Sequence, residues 1–261
     1  CNDIFGTGLE WSYRIPFFVD SLLAFIAFFL VWWGVKETRG ISSCKGVVRQ
    51  QEDVELSEKI RSSVRILYIY SMTTGFAVGF IIPIIVLYFG DIFRATSLQI
   101  GIILSISGFV GLTCNLYAGK ISDRVGRKPI IALGNVPSRL ATIALPFSPN
   151  LVSAAGITVF RSFGQNVAMP ASHALYADLI PERVRGKILG RLAAFFNLGA
   201  IVGPILSTWL YDVYMSSTFE IPWLSNLVIR GVGIPFFVSG AMGLFSLFLL
   251  LAFVEEPRRR R

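Results

Sequence analysis

The chain has 261 residues, of which 54% are hydrophobic and only 15% are charged, and its mean hydropathy is +0.64. A soluble domain of this make-up would lack the polar residues that cover a water-exposed surface, so the composition predicts an all-α protein that crosses a membrane several times. The formal net charge is +8. Because the cations lie in short segments between apolar runs and not on one face of a domain, we expect no nucleic-acid partner.

The residues that build metal sites and disulfides are scarce. The three cysteines, Cys1, Cys44 and Cys114, are far apart in the sequence, and the chain has a single histidine. They predict neither a disulfide framework nor a metal site, and we expect no cofactor. The intramembrane Asp pairs or Ser/His pairs of a membrane-embedded enzyme are not visible, so we expect no enzymatic activity. The chain starts at Cys1 without a signal peptide, which indicates part of a longer polypeptide.

Seven segments are long and apolar enough to cross a bilayer, which takes about 20 helical residues. They are predicted at 11–35, 64–89, 98–118, 129–147, 150–179, 187–211 and 231–254. With the N-terminus outside, this topology puts 19 Lys and Arg residues on the inner side of the membrane and three on the outer side. The positive-inside rule then places the loops 36–63, 119–128 and 180–187 and the C-terminus in the cytoplasm.

The segment 119–131, GKISDRVGRKPII, is a strongly charged link between two apolar runs. Gly119 and Gly126 are expected to allow a tight reversal. Asp123 is the only acid in it, and its cations are Lys120, Arg124, Arg127 and Lys128. The order Gly-x-aliphatic-small-Asp-Arg-x-Gly-Arg-Lys-x-x-aliphatic resembles the cytoplasmic loop signature of the major facilitator superfamily. Members of that family are membrane transporters with twelve helices in two six-helix halves.

The resemblance implies a gating role for this motif. In the family, the acid, its basic partners and a neighbouring helix N-terminus form a latch that holds one of two alternating-access states. From its residue type alone, Asp123 would neutralise Arg124 or Arg127 and cap backbone N–H groups of the next helix. The two roles are compatible, because a latch is a contact that one state makes and the other lacks.

A second charged turn, YADLIPERVRGKILG, has a similar composition. In the family the corresponding loop packs beside the first charged turn. We therefore predict ion pairs that join Asp178 or Glu182 to Arg124 or Arg127, with Arg183 and Arg185 in the same cluster. Such a pair is worth under about 1 kcal/mol when exposed and more within a network.

An internal echo sets the expected numbering of the helices. The sequence IPFFV at 15–19 recurs at 234–238, and each copy opens a long apolar helix with its proline expected in the first helical turn. In a facilitator-like layout these helices are the sixth and the twelfth. The chain would then comprise the sixth helix (1–35), a cytoplasmic linker (36–63) and the C-terminal six-helix bundle of helices seven to twelve (64–261). Five helices of an N-terminal bundle would precede Cys1.

Arg161 is expected about 16 Å into its helix, near the centre of the bilayer. An arginine there costs about 2.5–3.5 kcal/mol, so it should face the bundle interior or a water-filled cavity. The run RSFGQNVAMP resembles the Arg-x-x-Gln-Gly motif of proton-coupled drug exporters, with Gly164 and Gln165 in swapped order. The resemblance implies a substrate or proton path through Arg161, Gln165 and Asn166, and a structural arginine bonded to carbonyls is the alternative. Arg139, at similar depth, is expected to have a structural or interfacial role.

Gly199, Gly203 and Pro204 resemble the Gly-x-x-x-Gly-Pro motif of antiporter helices. Small residues four apart let two helices approach closely, and the proline permits a bend, so packing alone also explains the motif.

Together these features predict a secondary transporter in the plasma membrane, whose partners are the lipid bilayer, a small-molecule solute, protons and the N-terminal bundle. Proton-coupled export of an organic or amphipathic compound is the leading prediction. Uptake of a sugar, organic acid or peptide is the alternative. A seven-helix receptor is more distant, since the last span has no lysine for a retinal Schiff base.

Overall fold

The computed structural model describes residues 11–34, 58–220 and 228–254, without the side chains of 11–14, 58–61, 182–183, 218–220 and 228–230. The chain divides into two units, 1–54 and 55–261. The predicted linker falls mostly outside the described residues, as do the last seven residues of the chain, 255–261.

In the first unit, helix α1 covers Trp11–Gly34 and contains long apolar side chains that are exposed within the unit. Its length of 24 residues is enough to cross a bilayer. Pro16 is the sixth residue of α1, so the prediction that it lies in the first turn was wrong, because the helix begins earlier than the IPFFV sequence. Pro235 does lie in the first turn of its helix.

The second unit contains six long helices among the described residues. They are α2 (Glu58–Phe93), α3 (Ser97–Val125), α4 (Arg127–Ala144), α5 (Leu151–Leu179), α6 (Glu182–Tyr214) and α7 (Ile234–Phe253). Short 3-10 turns follow α4 and precede α7, at Leu145–Phe147 and Gly231–Gly233. Two three-residue strands, β1 (Thr218–Glu220) and β2 (Val228–Arg230), pair antiparallel between α6 and α7, with Phe219 opposite Ile229. The all-α class is confirmed, with this small ribbon as an addition.

Polar residues set the start of two helices. Thr96 precedes α3, and its hydroxyl accepts a hydrogen bond from the Gln99 backbone N–H (3.3 Å), while the Gln99 side chain accepts one from the Thr96 N–H (2.9 Å). Asn150 and Ser153 form the same reciprocal pair at the start of α5. These capping boxes satisfy backbone N–H groups that the first helical turn leaves without partners.

Six helices within the described ranges are long and apolar enough to cross a membrane, by length and composition. The exception is α5, which the sequence prediction had counted as a span. It has 29 residues and is therefore long enough, but Arg161, Gln165 and Asn166 lower the hydropathy of its middle. A helix of this kind needs neighbours that cover its polar face.

The largest helix–helix interfaces of the second unit connect its helices in the order α6, α2, α7, α4, α5, α3. Both α3 and α6 have apolar side chains that point away from the other helices, among them Phe109, Leu116, Ile201 and Ile205. An exposed apolar surface on this scale suits a bilayer environment.

The apolar core of this unit consists of two clusters. One contains Leu67, Ile131, Leu175 and Leu250, and the other contains Ile84, Leu145, Ala154 and Phe236. On α2, α4, α5 and α7 the residues between these clusters form a middle layer, defined here by Thr74, Arg139, Arg161 and Gly243. We call the end of the bundle with Asp123 the charged end, and the end with Asp91 the opposite end.

Candidate functional site

The charged segment that the sequence predicts as a loop is almost entirely helical. Helix α3 continues through Gly119 to Val125, and α4 begins at Arg127, so Gly126 alone connects them. Gly126 has a φ of 114°, which favours glycine, and its N–H donates to the Ser122 carbonyl (3.2 Å). The expected reversal at Gly119 was therefore wrong. Likewise, most of the predicted loop 180–187 belongs to α6, which begins at Glu182.

Arg127, the first residue of α4, contacts polar side chains of α3 and of α5 at the charged end. Its guanidinium forms an ion pair with Asp123 across the one-residue turn, and its Nε lies 3.2 Å from Asp178 Oδ2 at the end of α5. Its Nη1 also donates to the Ser122 hydroxyl (3.0 Å). The Arg127 side chain is only 18% exposed, whereas those of Asp123 and Asp178 are 59% and 47% exposed. The predicted pair between Arg127 and Asp178 is thus present in the structure.

The other predicted members of this cluster are placed differently. Arg124 is exposed on the last turn of α3. The side chains of Glu182 and Arg183 lie outside the described residues, so pairs that involve them stay predictions. Asp123 does not cap α4, because the residue before that helix is Gly126, which has no side chain for a cap.

Two further cations bind the carboxyl ends of helices, a role that the sequence analysis missed. Lys128 Nζ donates to the Leu251 carbonyl in the last turn of α7 (3.0 Å), and Arg185 Nη2 donates to the Ala177 carbonyl near the end of α5 (2.9 Å). Terminal carbonyls have no partner within their own helix and carry partial negative charge, so a cation there stabilises the helix. At the charged end, Arg127 is therefore matched to acids, and Lys128 and Arg185 are matched to helix ends.

Farther into the bundle, polar side chains connect α3 to α5. Asn115 Nδ2 donates to Asn166 Oδ1 (3.1 Å), and the Ser162 hydroxyl donates to the Ser107 carbonyl (2.9 Å). Asn166 also packs against Gly111, where an added Cβ would lie 2.4 Å from Asn166 Nδ2. Asn166, predicted on the substrate path, thus takes part in the contact between two helices.

Arg161 donates a long hydrogen bond to Gln165 one turn later, from Nη1 to Oε1 (3.4 Å). Both side chains are half-buried. Gly164, the residue in swapped order with Gln165, packs against α4, since an added Cβ there would lie 2.5 Å from the Gly134 carbonyl oxygen. The swap therefore puts the glycine on the α4 side of the helix, where only a hydrogen atom fits.

Gly199 and Gly203 of α6 lie directly against the backbone of α2. An added Cβ would lie 2.1 Å from the Met72 oxygen at Gly199 and 2.6 Å from the Phe80 nitrogen at Gly203. The matching surface of α2 has Gly75 and Gly79, which the sequence analysis missed although they show the same four-residue spacing.

Pro204 adds a feature to the α2–α6 contact. Since proline has no N–H, the Ala200 carbonyl one turn earlier loses its helical partner. Gly79 lies against that carbonyl, and an added Cβ would be 2.6 Å from the Ala200 oxygen. The predicted packing role of Gly199 and Gly203 agrees with this geometry.

Among the residues that the structure describes, no group of three or more His, Cys, Asp and Glu side chains could hold a metal ion. The polar groups available are instead cations, amides and hydroxyls. They can bind and orient a solute, or exchange partners between two conformations.

Comparison with known proteins relates this arrangement to a family. Among curated proteins, the chain is 23% identical over 198 residues to an uncharacterised MFS-type transporter of Methanocaldococcus jannaschii. The alignment covers 76% of this chain and 47% of the relative. It is 20% identical over 200 residues to the quinolone resistance protein NorA of Staphylococcus aureus, with 77% and 47% covered. The chain therefore spans about half the length of these relatives.

Solved structures show the same fold. A bacterial homologue of the human lysosomal transporter Spinster, in an inward-facing and occupied conformation, superposes with a TM-score of 0.59 at 17% identity, over 76% of this chain and 44% of that one. Its unoccupied form gives a TM-score of 0.56 at 18% identity, over 79% and 45%. A family model described as Major Facilitator Superfamily matches residues 67–261. Since this match covers most of the sequence, the chain belongs to the major facilitator superfamily.

Proposed function

We propose that the unit 55–261 is one six-helix bundle of a secondary transporter, which moves a small solute by rocking against a second bundle. The family membership supports this function, and so does the match to about half of each relative. In this proposal 1–35 contains the sixth helix, 36–63 is the linker between bundles, and 64–261 is the C-terminal bundle with its basic tail.

The proposed orientation puts the charged end in the cytoplasm and the carrier in the plasma membrane. The distribution of Lys and Arg along the chain supports it, since cations concentrate before and at the start of α2, in the helix ends where α3 meets α4 and α5 meets α6, and after α7.

The observation that carries the proposal is the Arg127–Asp178 ion pair. Asp123 and Arg127 are neighbours across a one-residue turn, so their contact can persist while helices move. Arg127 and Asp178 lie on α4 and α5, which makes their pair the contact that a relative movement of these helices would break. A contact that differs between two states is what a latch requires. In this proposal Arg124 and Glu182 exchange into the cluster during the cycle.

For the solute, we favour proton-coupled export of an organic or amphipathic compound. The support comes from the half-buried Arg161 and Gln165 and from the glycine–proline sequence of α6. One relative, NorA, is named a quinolone resistance protein, which agrees with export of organic compounds. The alternative is uptake of a sugar, organic acid or peptide.

The test is a vesicle assay. The chain is expressed together with a matching N-terminal bundle and reconstituted into vesicles in which the charged end faces outward. When the vesicle interior is acidic, we expect at least one compound from a panel of amphipathic compounds to accumulate inside. A proton ionophore should abolish this accumulation. Movement that an opposite gradient drives would favour the uptake alternative. If no compound moves under either gradient, the proposal is wrong.

A matched pair of variants tests the latch in the same assay. Asp178→Asn removes the partner of Arg127, and we expect transport to fall about tenfold or more, as for loss of a coupling of about 1.4 kcal/mol. Asp212→Asn makes the same chemical change at an exposed position near the opposite end, and transport should be unchanged. Equal effects of the two substitutions would contradict a latch at Asp178.

A further inference from the structure

The middle layer of the bundle contains two arginines, Arg139 and Arg161, that take no part in the contacts of the charged end. Arg139 lies on α4 between Ile131 and Leu145, which belong to the two core clusters, and only 5% of it is exposed. From the sequence, this residue is expected to have a structural or interfacial role. Its burial agrees with the structural role, because the side chain packs against Gly243 of α7.

The Gly243 contact shows how closely Arg139 is held. An added Cβ at Gly243 would lie 2.3 Å from Arg139 Cδ and 2.4 Å from its Nε. A neighbouring glycine, Gly240, is next to Ile143 and the Arg139 carbonyl. The two glycines of α7 therefore make room for α4 and its arginine side chain.

Polar groups of α2 and α5 lie near this arginine. The Tyr70 hydroxyl of α2 interacts electrostatically with the Arg139 guanidinium, and Tyr70 also interacts with Ser172 and Tyr176 of α5. The guanidinium of Arg161 is close enough to interact with that of Arg139. Thr74 lies one turn from Tyr70 on α2, and the two hydroxyl groups interact. We call Tyr70, Thr74, Arg139 and Arg161 the middle cluster.

Two donors of the middle cluster have no acceptor among the described residues. They are Arg139 Nε and Arg161 Nε, which are buried and make no hydrogen bond there. Buried polar atoms are nearly always hydrogen-bonded, so two such atoms in one layer call for a missing partner. Arginine has donors only, so the partner of both Nε groups must be an acceptor.

The positions of the acidic side chains also indicate that the two arginines need an anionic partner. The acids of the second unit whose side chains the structure describes are Asp91, Asp123, Asp178 and Asp212, and each of them lies away from this layer. Asp123 and Asp178 pair with Arg127 at the charged end, Asp91 accepts a hydrogen bond from Tyr211, and Asp212 is exposed. Two uncompensated cations in an apolar bundle repel one another and lack solvation. Water would satisfy the donors but leave the charge, whereas an anion does both.

We propose that the middle cluster binds an anion, and that its ligand class is an organic anion with a carboxylate or phosphate group. The planar guanidinium matches the oxygen geometry of these groups. Arg161 and Gln165 are half-buried, so they give the cluster a route to the bundle surface. The inference rests on the proposed function insofar as it assigns this anion to the transported solute. A free inorganic anion has the same chemistry and is distinguished by the test.

The test measures binding to the purified 261-residue chain in detergent, which needs neither transport nor a second bundle. The probes are benzoate, its neutral near-isostere benzamide, and inorganic phosphate, each followed by the rise in thermal unfolding midpoint. We expect benzoate to raise the midpoint in a saturable way and benzamide to have no effect at equal concentration. A response to phosphate alone would assign the site to a free inorganic anion. If neither anion raises the midpoint, or benzamide matches benzoate, the proposal is overturned.

Variants locate the binding. Arg139→Gln and Arg161→Gln should each weaken benzoate about tenfold or more, as for loss of a charge-assisted hydrogen bond. Arg191→Gln, an exposed arginine of α6, is the matched control and should bind as the parent does. Unchanged benzoate binding in both middle-layer variants would place the anion elsewhere and overturn the proposal. Should Arg139→Gln not fold, Arg139→Lys keeps the charge, and its weaker benzoate affinity tests the same contact. If the vesicle assay shows no transport but the purified chain binds benzoate, the proposed function is rejected and the anion site is retained.

Discussion

The contact between α2 and α6 differs from the contacts that join α3 to α5 and that link the charged ends of α3, α4 and α5. Between α2 and α6, Gly75, Gly79, Gly199 and Gly203 bring the two backbones into direct contact. The Tyr211 hydroxyl also donates a hydrogen bond to Asp91 at the opposite end (3.0 Å). In contrast, polar side chains join α3 to α5 through the Asn115–Asn166 hydrogen bond, and they link the charged ends through the ion pairs of Arg127. Deeper in the bundle, α4 and α5 also meet at Gly134 and Gly164.

The difference predicts which parts of the bundle can move. Close backbone packing gains many small dispersion contacts and tolerates no added volume, so α2 and α6 should behave as one rigid pair. Exposed ion pairs and single interhelical hydrogen bonds are each worth little in free energy, and they can exchange partners. The polar contacts of Arg127 at the charged end, away from the Gly134–Gly164 contact of α4 and α5, are therefore the better place for a contact that opens and closes during the proposed transport.

The largest effect is expected from filling the α2–α6 contact. Gly199→Ala would put a methyl group 2.1 Å from the Met72 oxygen, so either the backbones separate or the helix shifts. Such overpacking should lower the free energy of unfolding by about 3 kcal/mol. The measurement is the thermal midpoint of the purified protein and the fraction that elutes as a single species.

The matched control for this substitution lies on the same helix. Gly190 has nothing within 4 Å of an added Cβ, so Gly190→Ala should raise stability by about 0.5–1 kcal/mol, because alanine favours the helix. Opposite signs at Gly199 and Gly190 would support the rigid pair. Equal signs would mean that α2 and α6 are not in backbone contact.

A charge swap at the charged end should have a smaller effect on stability. Arg127→Asp and Asp178→Arg should each reduce the proposed transport, and the double variant should recover part of it, since the pair is restored in reverse. The unfolding free energy should change by less than about 1 kcal/mol for Asp178→Arg, because that side chain is half exposed. The checks are the vesicle assay and thermal unfolding of the same preparations. A double variant no better than the singles would show that Arg127 acts through Asp123 alone.

Much of the fold could be predicted because each helix is an apolar run that ends at charged or turn residues. The helix bounds differ from the predicted spans by a few residues, mainly where polar ends continue the helix beyond the apolar part. The segment at 119–128 is the clearest case. Its charged residues predict a loop, yet a helix that leaves the membrane can extend into water, so α3 keeps its helical hydrogen bonds as far as Ser122 and beyond.

The site was harder to predict, because residue types do not specify partners. The sequence offered Asp178 or Glu182 for Arg127, and tertiary packing selects among such neighbours. It gave no indication that Lys128 reaches Leu251, 123 residues later, since the acceptor is a backbone carbonyl. The burial of Arg139 depends on Gly243 of a distant helix. In contrast, the spacing of Gly75 and Gly79 was visible and could have identified the surface of α2 that faces α6.

The polar connection between α3 and α5 should have a moderate effect. Asn115→Ala removes one interhelical hydrogen bond, which in membrane proteins averages about 0.6 kcal/mol. Asn115 Oδ1 is buried without a partner among the described residues, so the substitution also removes an unsatisfied atom and the net loss should stay below about 1 kcal/mol. Thr113→Ala, whose hydroxyl bonds only within its own helix, is the control. A loss of several kcal/mol at Asn115 would mean that α3 and α5 are held as rigidly as α2 and α6.

The smallest effect is expected from Lys128→Met, which keeps the length of the side chain and removes its charge. The hydrogen bond to the Leu251 carbonyl is lost, but the end of α7 can be solvated by water, so global stability should fall by only about 0.3–1 kcal/mol. The local effect should be clearer, since amide hydrogen exchange in the last turn of α7 reports on fraying there. We expect faster exchange at 250–254 and no change in the first turn of the same helix. Unchanged exchange at both ends would show that Lys128 does not stabilise α7, and that the charged end is held by Arg127 and Arg185 without it.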